Sequence, residues 1–170
     1  MNLIITNVKK PFDCYYMSQM AFANFKIMEE EMSIYYGYYD SPIGLIEIKT
    51  NDEKLIALDF VAEMKETLGS VEILNKTIKQ LDEYFNGERK QFDIPYELNG
   101  TEFQKKSWDA LTKIPYAQTW SYEKQAIYIG NIKATRAVGN ANSKNPIGII
   151  VPCHRVIGKN NKLTGYAGGL

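Results

Sequence analysis

Pro152-Cys153-His154-Arg155-Val156 sets one of only two cysteines beside the only histidine of a 170-residue chain. An apolar run, Ile147-Gly148-Ile149-Ile150-Val151, leads into it, and a glycine-rich segment, Gly165-Tyr166-Ala167-Gly168-Gly169, follows. A thiol attacks carbon as its thiolate, and a base or a positive neighbour is needed to form one. The chain has a single imidazole, and it adjoins a cysteine. Cys153 is therefore a candidate nucleophile and His154 its candidate base. Sequence neighbours usually point to different faces of an element, so direct thiol–imidazole contact does not follow from adjacency.

Composition narrows the classes. With 45% hydrophobic and 24% charged residues, the chain reads as an ordinary globular protein. Cys14 and Cys153 do not make a disulfide framework, and a reducing cytoplasm suits them. One His and two Cys cannot supply the usual four ligands of a zinc site. No apolar run approaches the roughly 18 residues of a membrane span. The net charge of zero hides an asymmetry: residues 1–100 carry 10 Lys and Arg against 17 Asp and Glu, residues 101–170 carry 10 against 3. A basic half attached to an acidic half points to a polyanionic partner.

The pattern between these ends predicts an α+β protein. Ile34–Tyr39, Ile43–Lys49 and Lys54–Phe60 are rich in β-branched and aromatic residues, with turn signals at Asp40-Ser41-Pro42 and Asn51-Asp52. They predict a small antiparallel meander. Ser70 is the expected N-cap of a helix carrying Leu74, Ile78, Leu81 and Phe85 and ending at Gly87. Residues 92–99 read as a linker. Thr101 and Gln104 form a capping box ahead of an apolar stripe of Phe103, Ala110, Leu111 and Ile114. Ser121 opens a short helix that stops at Gly130. Asn131 caps another over residues 132–143, with Ala134, Ala137, Val138 and Ala141 as its core stripe. Thr135, Arg136, Gly139 and Asn142 fall on a second face. Two short helices joined at Gly130 and Asn131 suggest a helix-turn-helix. The expected organisation is an unassigned extension (residues 1–32), an N-terminal domain with sheet and helix (33–95) and a mostly helical, winged-helix-like C-terminal domain (96–170).

An ordered series of motifs then becomes specific. Ser41-Pro42-Ile43-Gly44, Gln80-Leu81-x-x-Tyr84-Phe85-x-Gly87, Gly100-Thr101-x-Phe103-Gln104-x-x-x-Trp108, Ile114-Pro115-Tyr116 and Ser121-Tyr122 come first. Arg136-Ala137-Val138-Gly139-x-Ala141, Asn145-Pro146, the Pro-Cys-His-Arg-Val pentapeptide and Gly165-Tyr166-x-Gly168-Gly169-Leu170 complete it. The chain resembles the 6-O-alkylguanine-DNA alkyltransferases, also called methylated-DNA–protein-cysteine methyltransferases, over roughly residues 34–170.

The resemblance implies a single-turnover DNA repair protein that needs no cofactor or metal. It implies that alkylated guanine, and also 4-O-methylthymine, swings out of duplex DNA and gives its alkyl group irreversibly to Cys153. His154 would act through an intervening water and the Tyr122 hydroxyl would donate toward the guanine. Backbone groups of Cys153, Val156 and Ala167, in a loop with Tyr166 and Gly168, would read the base. Arg136 would fill the gap in the stack, with Thr135 and Gly139 against the minor groove. Asn145 would support the turn into the active-site strand. A monomer without membrane contact is expected.

Three departures stand out. Ala117 replaces a glycine common after Pro-Tyr, and Ile132 replaces a helix-starting proline. In the family a further helix follows Gly-Gly-Leu and supplies a glutamate that orients the histidine. Here the sequence ends at Leu170, which implies a truncated form or a His154 without that partner. Two other readings remain open: a protein that binds alkylated DNA without transfer, and an unrelated cysteine hydrolase.

Overall fold

Strand β3, Leu55–Phe60, is the seam of the molecule. In the computed structural model, which describes residues 33–65 and 69–158, it pairs antiparallel with β2 (Gly44–Thr50), and β2 with β1 (Tyr35–Ser41). The sheet order is β1-β2-β3, the meander expected from the turn signals. The second edge of β3 is also used. Leu55 N–H donates to Pro95 C=O at 2.9 Å and Glu97 N–H to Leu55 C=O at 3.0 Å. Further along, Leu58 N–H donates to Pro146 C=O at 2.8 Å and Gly148 N–H to Leu58 C=O at 3.2 Å. The expected linker over residues 92–99 is thus partly tied to the sheet. Gln80 adds to this, accepting from Asp93 N–H at 2.8 Å and donating to its C=O at 3.3 Å.

Helix α1 (Glu72–Phe85) packs on β1 at Gly37, where a Cβ would stand 2.8 Å from the Leu74 side chain. Its N-cap is Val71, one residue later than expected. The Ser70 hydroxyl bonds the Asn75 side chain at 3.2 Å rather than a backbone N–H, so it does not cap. The helix ends where Gly87 was expected to stop it. Glu88 N–H reaches Glu83 C=O and Gly87 N–H reaches Tyr84 C=O, the bond pair of a Schellman motif.

Helix α2 (Glu102–Thr112) opens with the full capping box of Thr101 and Gln104. After a turn come β4 (Trp120–Ser121) and α3 (Tyr122–Tyr128), with the Ser121 hydroxyl accepting from Lys124 N–H. Asn131 N–H donates to Ala126 C=O and Gly130 N–H to Ile127 C=O, closing a second Schellman motif. Asn131 then turns its side chain to Lys133 N–H. One residue thus ends one helix and starts the next segment. That segment begins as a 3₁₀ turn, Ile132–Ala134, before α4 (Thr135–Asn142).

The faces of α4 differ from expectation. Ala134, Val138 and Ala141 are buried as expected, but Ala137 is exposed and Asn142 is buried. Gln125 of α3, fully buried, exchanges amide hydrogen bonds with Asn142 at 2.8 and 3.1 Å. This pair and the 3₁₀ start rotate the inward stripe toward Asn142 and away from Ala137. A 3₁₀ turn, Cys153–Arg155, then leads to β5 (Val156–Ile157), parallel to β4.

The main core draws on both halves: Ile46, Ile48, Leu55, Leu58 and Leu81 meet Trp108, Leu111, Ile147, Val151 and Val156. Trp108 is 1% exposed, and its indole N–H donates to the Ala141 carbonyl at 2.7 Å. That carbonyl lies in the last turn of α4, where it also accepts from Lys144 N–H at 3.1 Å. Ala117 takes the left-handed φ of 59° in a turn closed by Gln118 N–H to Pro115 C=O. The strain expected where a glycine would be at ease is present.

Replacing Trp108 by Phe should remove the 2.7 Å bond to the Ala141 carbonyl and leave a void beside the smaller ring, costing about 1–3 kcal/mol in urea unfolding. A loss below about 0.5 kcal/mol would mean that another donor takes its place.

Candidate active site

The loop from Asn145 to Arg155 is built by local hydrogen bonds, and it is not the strand that its apolar run suggested. Asn145 Oδ1 accepts from Ile147 N–H at 3.1 Å, and its Nδ2 donates to the Val151 carbonyl at 2.7 Å and the Ile147 carbonyl at 3.4 Å. Ile150 N–H reaches the Gly148 carbonyl at 2.7 Å across Ile149, whose φ is 66°. This is a γ-turn with a β-branched residue in the left-handed region, a strained arrangement. Val151 N–H returns to Ile147 C=O at 3.0 Å. Pro152, at φ −84° and ψ 68°, forms an inverse γ-turn closed by Cys153 N–H to Val151 C=O at 2.9 Å. Two tight turns therefore lift Cys153 out of the core at the start of a 3₁₀ turn, where the sheet's Leu58 anchors the preceding residues.

Cys153 is half-buried and lines a cavity of about 560 Å³. The loop and α4 form one side, with Asn145, Ile149, Gly139 and Ser143; Tyr122 and His154 flank the thiol. The opposite side comes from the sheet and α1, through Ile43, Leu58, Asp59, Phe60 and Phe85.

Electrostatics distinguish the neighbours. Burial, and then the adjacent Arg155 guanidinium, lower the His154 pKa from 6.5 to about 4. The imidazole is neutral at physiological pH and can accept a proton. Burial, and then the nearby Cys153 charge, push the Tyr122 phenol up, so it stays a donor. Burial, and then Glu47 opposite it in the sheet, raise the Asp59 carboxyl.

The structure brings five expected site residues to this one cavity: Cys153, His154, Tyr122, Gly139 and Asn145. Arg136 is exposed on α4, and Thr135 is half-buried with its hydroxyl donating to the Ile132 carbonyl at 3.0 Å. Val156 is 1% exposed and sits in the core, its N–H donating to the Cys153 carbonyl, so only its backbone remains available to a base. Tyr166, Ala167 and Gly168 lie outside the described residues, as does the unassigned stretch 1–32. Sequence reading missed the wall from β3 and α1, and it put Asn142 on the outer face. Among the described residues no group of three or more His, Cys, Asp or Glu could hold a metal ion.

Two family models match the chain: the ribonuclease-like domain of 6-O-methylguanine DNA methyltransferase over residues 34–98, and its DNA binding domain over residues 102–170. The chain belongs to the 6-O-methylguanine DNA methyltransferase family. It is 48% identical over 143 residues to a methylated-DNA–protein-cysteine methyltransferase of Methanosarcina acetivorans, covering 81% of this chain and 92% of that one. The constitutive methyltransferase of Bacillus subtilis is 45% identical over 144 residues, covering 79% and 87%.

Among solved structures, the Mycobacterium tuberculosis O6-methylguanine methyltransferase superimposes with a TM-score of 0.74 at 43% identity, covering 81% of this chain and 86% of that one. A structure of the M. tuberculosis protein in complex with DNA gives 0.72 at 45% identity, covering 79% and 84%. The α+β architecture, with an N-terminal sheet and a helical C-terminal part, is that of these relatives. The chain is thus a DNA-binding methyltransferase of DNA repair that moves the methyl group of an alkylated guanine directly to a cysteine. The hydrolase reading is set aside.

The His154 shift sets a pH dependence. Its folded pKa, about 4, lies below the unfolded value near 6.5, so between these values the unfolded chain binds more protons. The stability tied to a neutral His154 is complete above pH 6.5 and is lost as pH falls toward 4. Urea melts at pH 7 and 4.5 should show the wild type losing about 1–3 kcal/mol more than His154→Gln. Equal losses would contradict a buried neutral imidazole.

Proposed function

We propose that Cys153 is the acceptor and that transfer is irreversible and stoichiometric, one alkyl group per protein molecule. The observation that carries this reading is the cavity of about 560 Å³ where the Cys153 thiol meets a neutral His154 and the Tyr122 hydroxyl. The neutral imidazole takes the thiol proton through a water. The thiolate lone pair forms the new S–C bond while the C–O bond breaks, and its electrons go to the guanine oxygen. Tyr122 donates a hydrogen bond toward the base as that charge develops. The proton taken from the thiol is returned through water to the base nitrogen, which restores guanine, and the S-alkylcysteine persists.

The base must leave the duplex to reach this thiol, at a cost of about a few kcal/mol of unstacking. Helices α3 and α4 serve as a helix-turn-helix laid in the minor groove, with small Gly139 and half-buried Thr135 permitting a close approach. Arg136, exposed on α4, takes the space of the extruded nucleotide. The backbone of Val156 and residues Tyr166, Ala167 and Gly168 complete base recognition. The assignment of these last three rests on sequence resemblance. Asn145 supports the loop. Residues 33–95 act as scaffold and 96–170 as the DNA-binding and transfer part; the protein works as a monomer in the cytoplasm. 4-O-methylthymine is a second substrate.

Incubation with duplex DNA carrying 6-O-methylguanine should add one methyl group to the intact protein, mapped to Cys153 by mass spectrometry. Cys153→Ala should gain no mass yet keep its affinity for the duplex. Binding without mass gain by the wild type would instead make this a lesion-binding protein. Arg136→Ala should slow transfer from duplex DNA by about tenfold or more while leaving transfer from the free 6-O-methylguanine base unchanged. Equal slowing on both substrates would remove Arg136 from extrusion.

A further inference from the structure

His154 has a second side. Beyond it lies another cavity, about 320 Å³ and more open, walled by Tyr116, Ala117, Gln118, Thr119 and Arg155. Tyr84 of α1 lines both this cavity and the one holding Cys153, and so does His154. These two side chains form the partition between the spaces.

Tyr84 is fixed by other rings. Its centroid lies 5.0 Å from that of Phe92, 5.7 Å from Phe85 edge-on and 6.3 Å from Tyr116 edge-on. Tyr116 in turn carries two cations: the Arg155 guanidinium carbon stands 5.6 Å from its ring centre and Lys90 Nζ 5.8 Å. The same guanidinium donates from Nη1 to the Ile114 carbonyl at 2.9 Å. A ring 43% exposed, as Tyr116 is, gains little from burial, yet it seats the cation next to the histidine.

We propose that Tyr84 and Tyr116 are positioning residues for the transfer reaction: they seat the Arg155 guanidinium and close the far side of His154, so that the imidazole faces Cys153 as an unprotonated base. The proposal rests on the reading of Cys153 as acceptor, and it adds a role for α1 in the chemistry. The groups around His154 agree with it. Its own turn supplies Cys153 and Arg155, α1 supplies Tyr84, the following segment Lys90, and the Pro115 turn Tyr116. Across the larger cavity stand Tyr122 of α3 and Asp59 of β3. The charged neighbour on the same turn is a cation, and the carboxyl comes from the opposite wall. Burial opposes protonation of the imidazole most, and the Arg155 guanidinium opposes it further.

The chain has one histidine, so its titration can be followed in the full-length protein by NMR without DNA. In the wild type the imidazole should titrate near 4. In Tyr116→Ala and Tyr84→Ala the midpoint should rise by about one pH unit or more toward the ordinary value, as Arg155 loosens and solvent enters. Tyr116→Phe, which keeps the ring, should not move it. Arg155→Met, which keeps the stem and removes the charge, should raise it in the same direction and covers the case in which the alanine variants fail to fold.

Single-turnover transfer at pH 7, where the imidazole stays mostly neutral in every variant, should fall about fivefold or more in the alanine variants through lost positioning of His154 and stay within about twofold in Tyr116→Phe, with duplex affinity unchanged in all. An imidazole midpoint that stays near 4 in the folded Ala and Met variants would overturn the proposal, even with Cys153 methylated normally. If Cys153 gained no methyl group while the midpoints moved as stated, the acceptor assignment would fail and the seating of Arg155 would stand.

Discussion

The Asn145 side-chain amide, hydrogen-bonded to Ile147 and Val151, is the constraint from which the reactive end of this protein follows. Without it the chain from α4 to Cys153 has no regular ladder to follow. Ile149 sits at a φ that a β-branched residue avoids, and such strain persists only where surrounding bonds over-determine the backbone. Asn145 supplies that from within the loop. Leu58 supplies it from the sheet, gripping Pro146 and Gly148 with both of its backbone groups. Cys153 is thereby held at a cavity's edge and not in the core where an apolar run would carry it.

This explains why an N-terminal sheet with none of the expected catalytic residues belongs to the site. Strand β3 bonds the loop that aims the thiol, and its end lines the cavity with Asp59 and Phe60. Helix α1 extends the same wall with Phe85, and Tyr84 reaches the far side of His154. The two family domains thus share one core and one cavity: scaffold and chemistry meet at β3.

Local chemistry was legible in the sequence because its causes lie within a few residues. The meander follows from Asp40-Ser41-Pro42 and Asn51-Asp52, the start of α2 from Thr101 and Gln104, the break between α3 and α4 from Gly130 and Asn131. The Cys-His pair was legible for the same reason, and both residues line one cavity. Features with distant causes were not. Ile147–Val151 has the composition of a buried strand, but the Asn145 amide folds it into turns and the hydrogen bonds of Leu58, nearly ninety residues earlier, tie those turns to the sheet. Ala137 and Asn142 exchange places because Gln125 on another helix offers an amide partner. Ser70 loses its cap to an Asn75 side chain that composition cannot orient. The cavity's second wall is a tertiary product, invisible to any motif.

The proposed transfer asks for a soft nucleophile, a base kept free of its proton and a donor kept in possession of its own. Burial and charge arrange the last two here: His154 is driven down by desolvation and Arg155, Tyr122 upward by desolvation and the Cys153 charge. The most direct test is a crystal structure of Cys153→Ala bound to duplex DNA containing 6-O-methylguanine. The alkylated base should lie in the cavity between Tyr122 and the Asn145 loop, with its methyl group facing residue 153 and Arg136 in the vacated stack. A base still stacked in the duplex, or seated away from residue 153, would contradict the account.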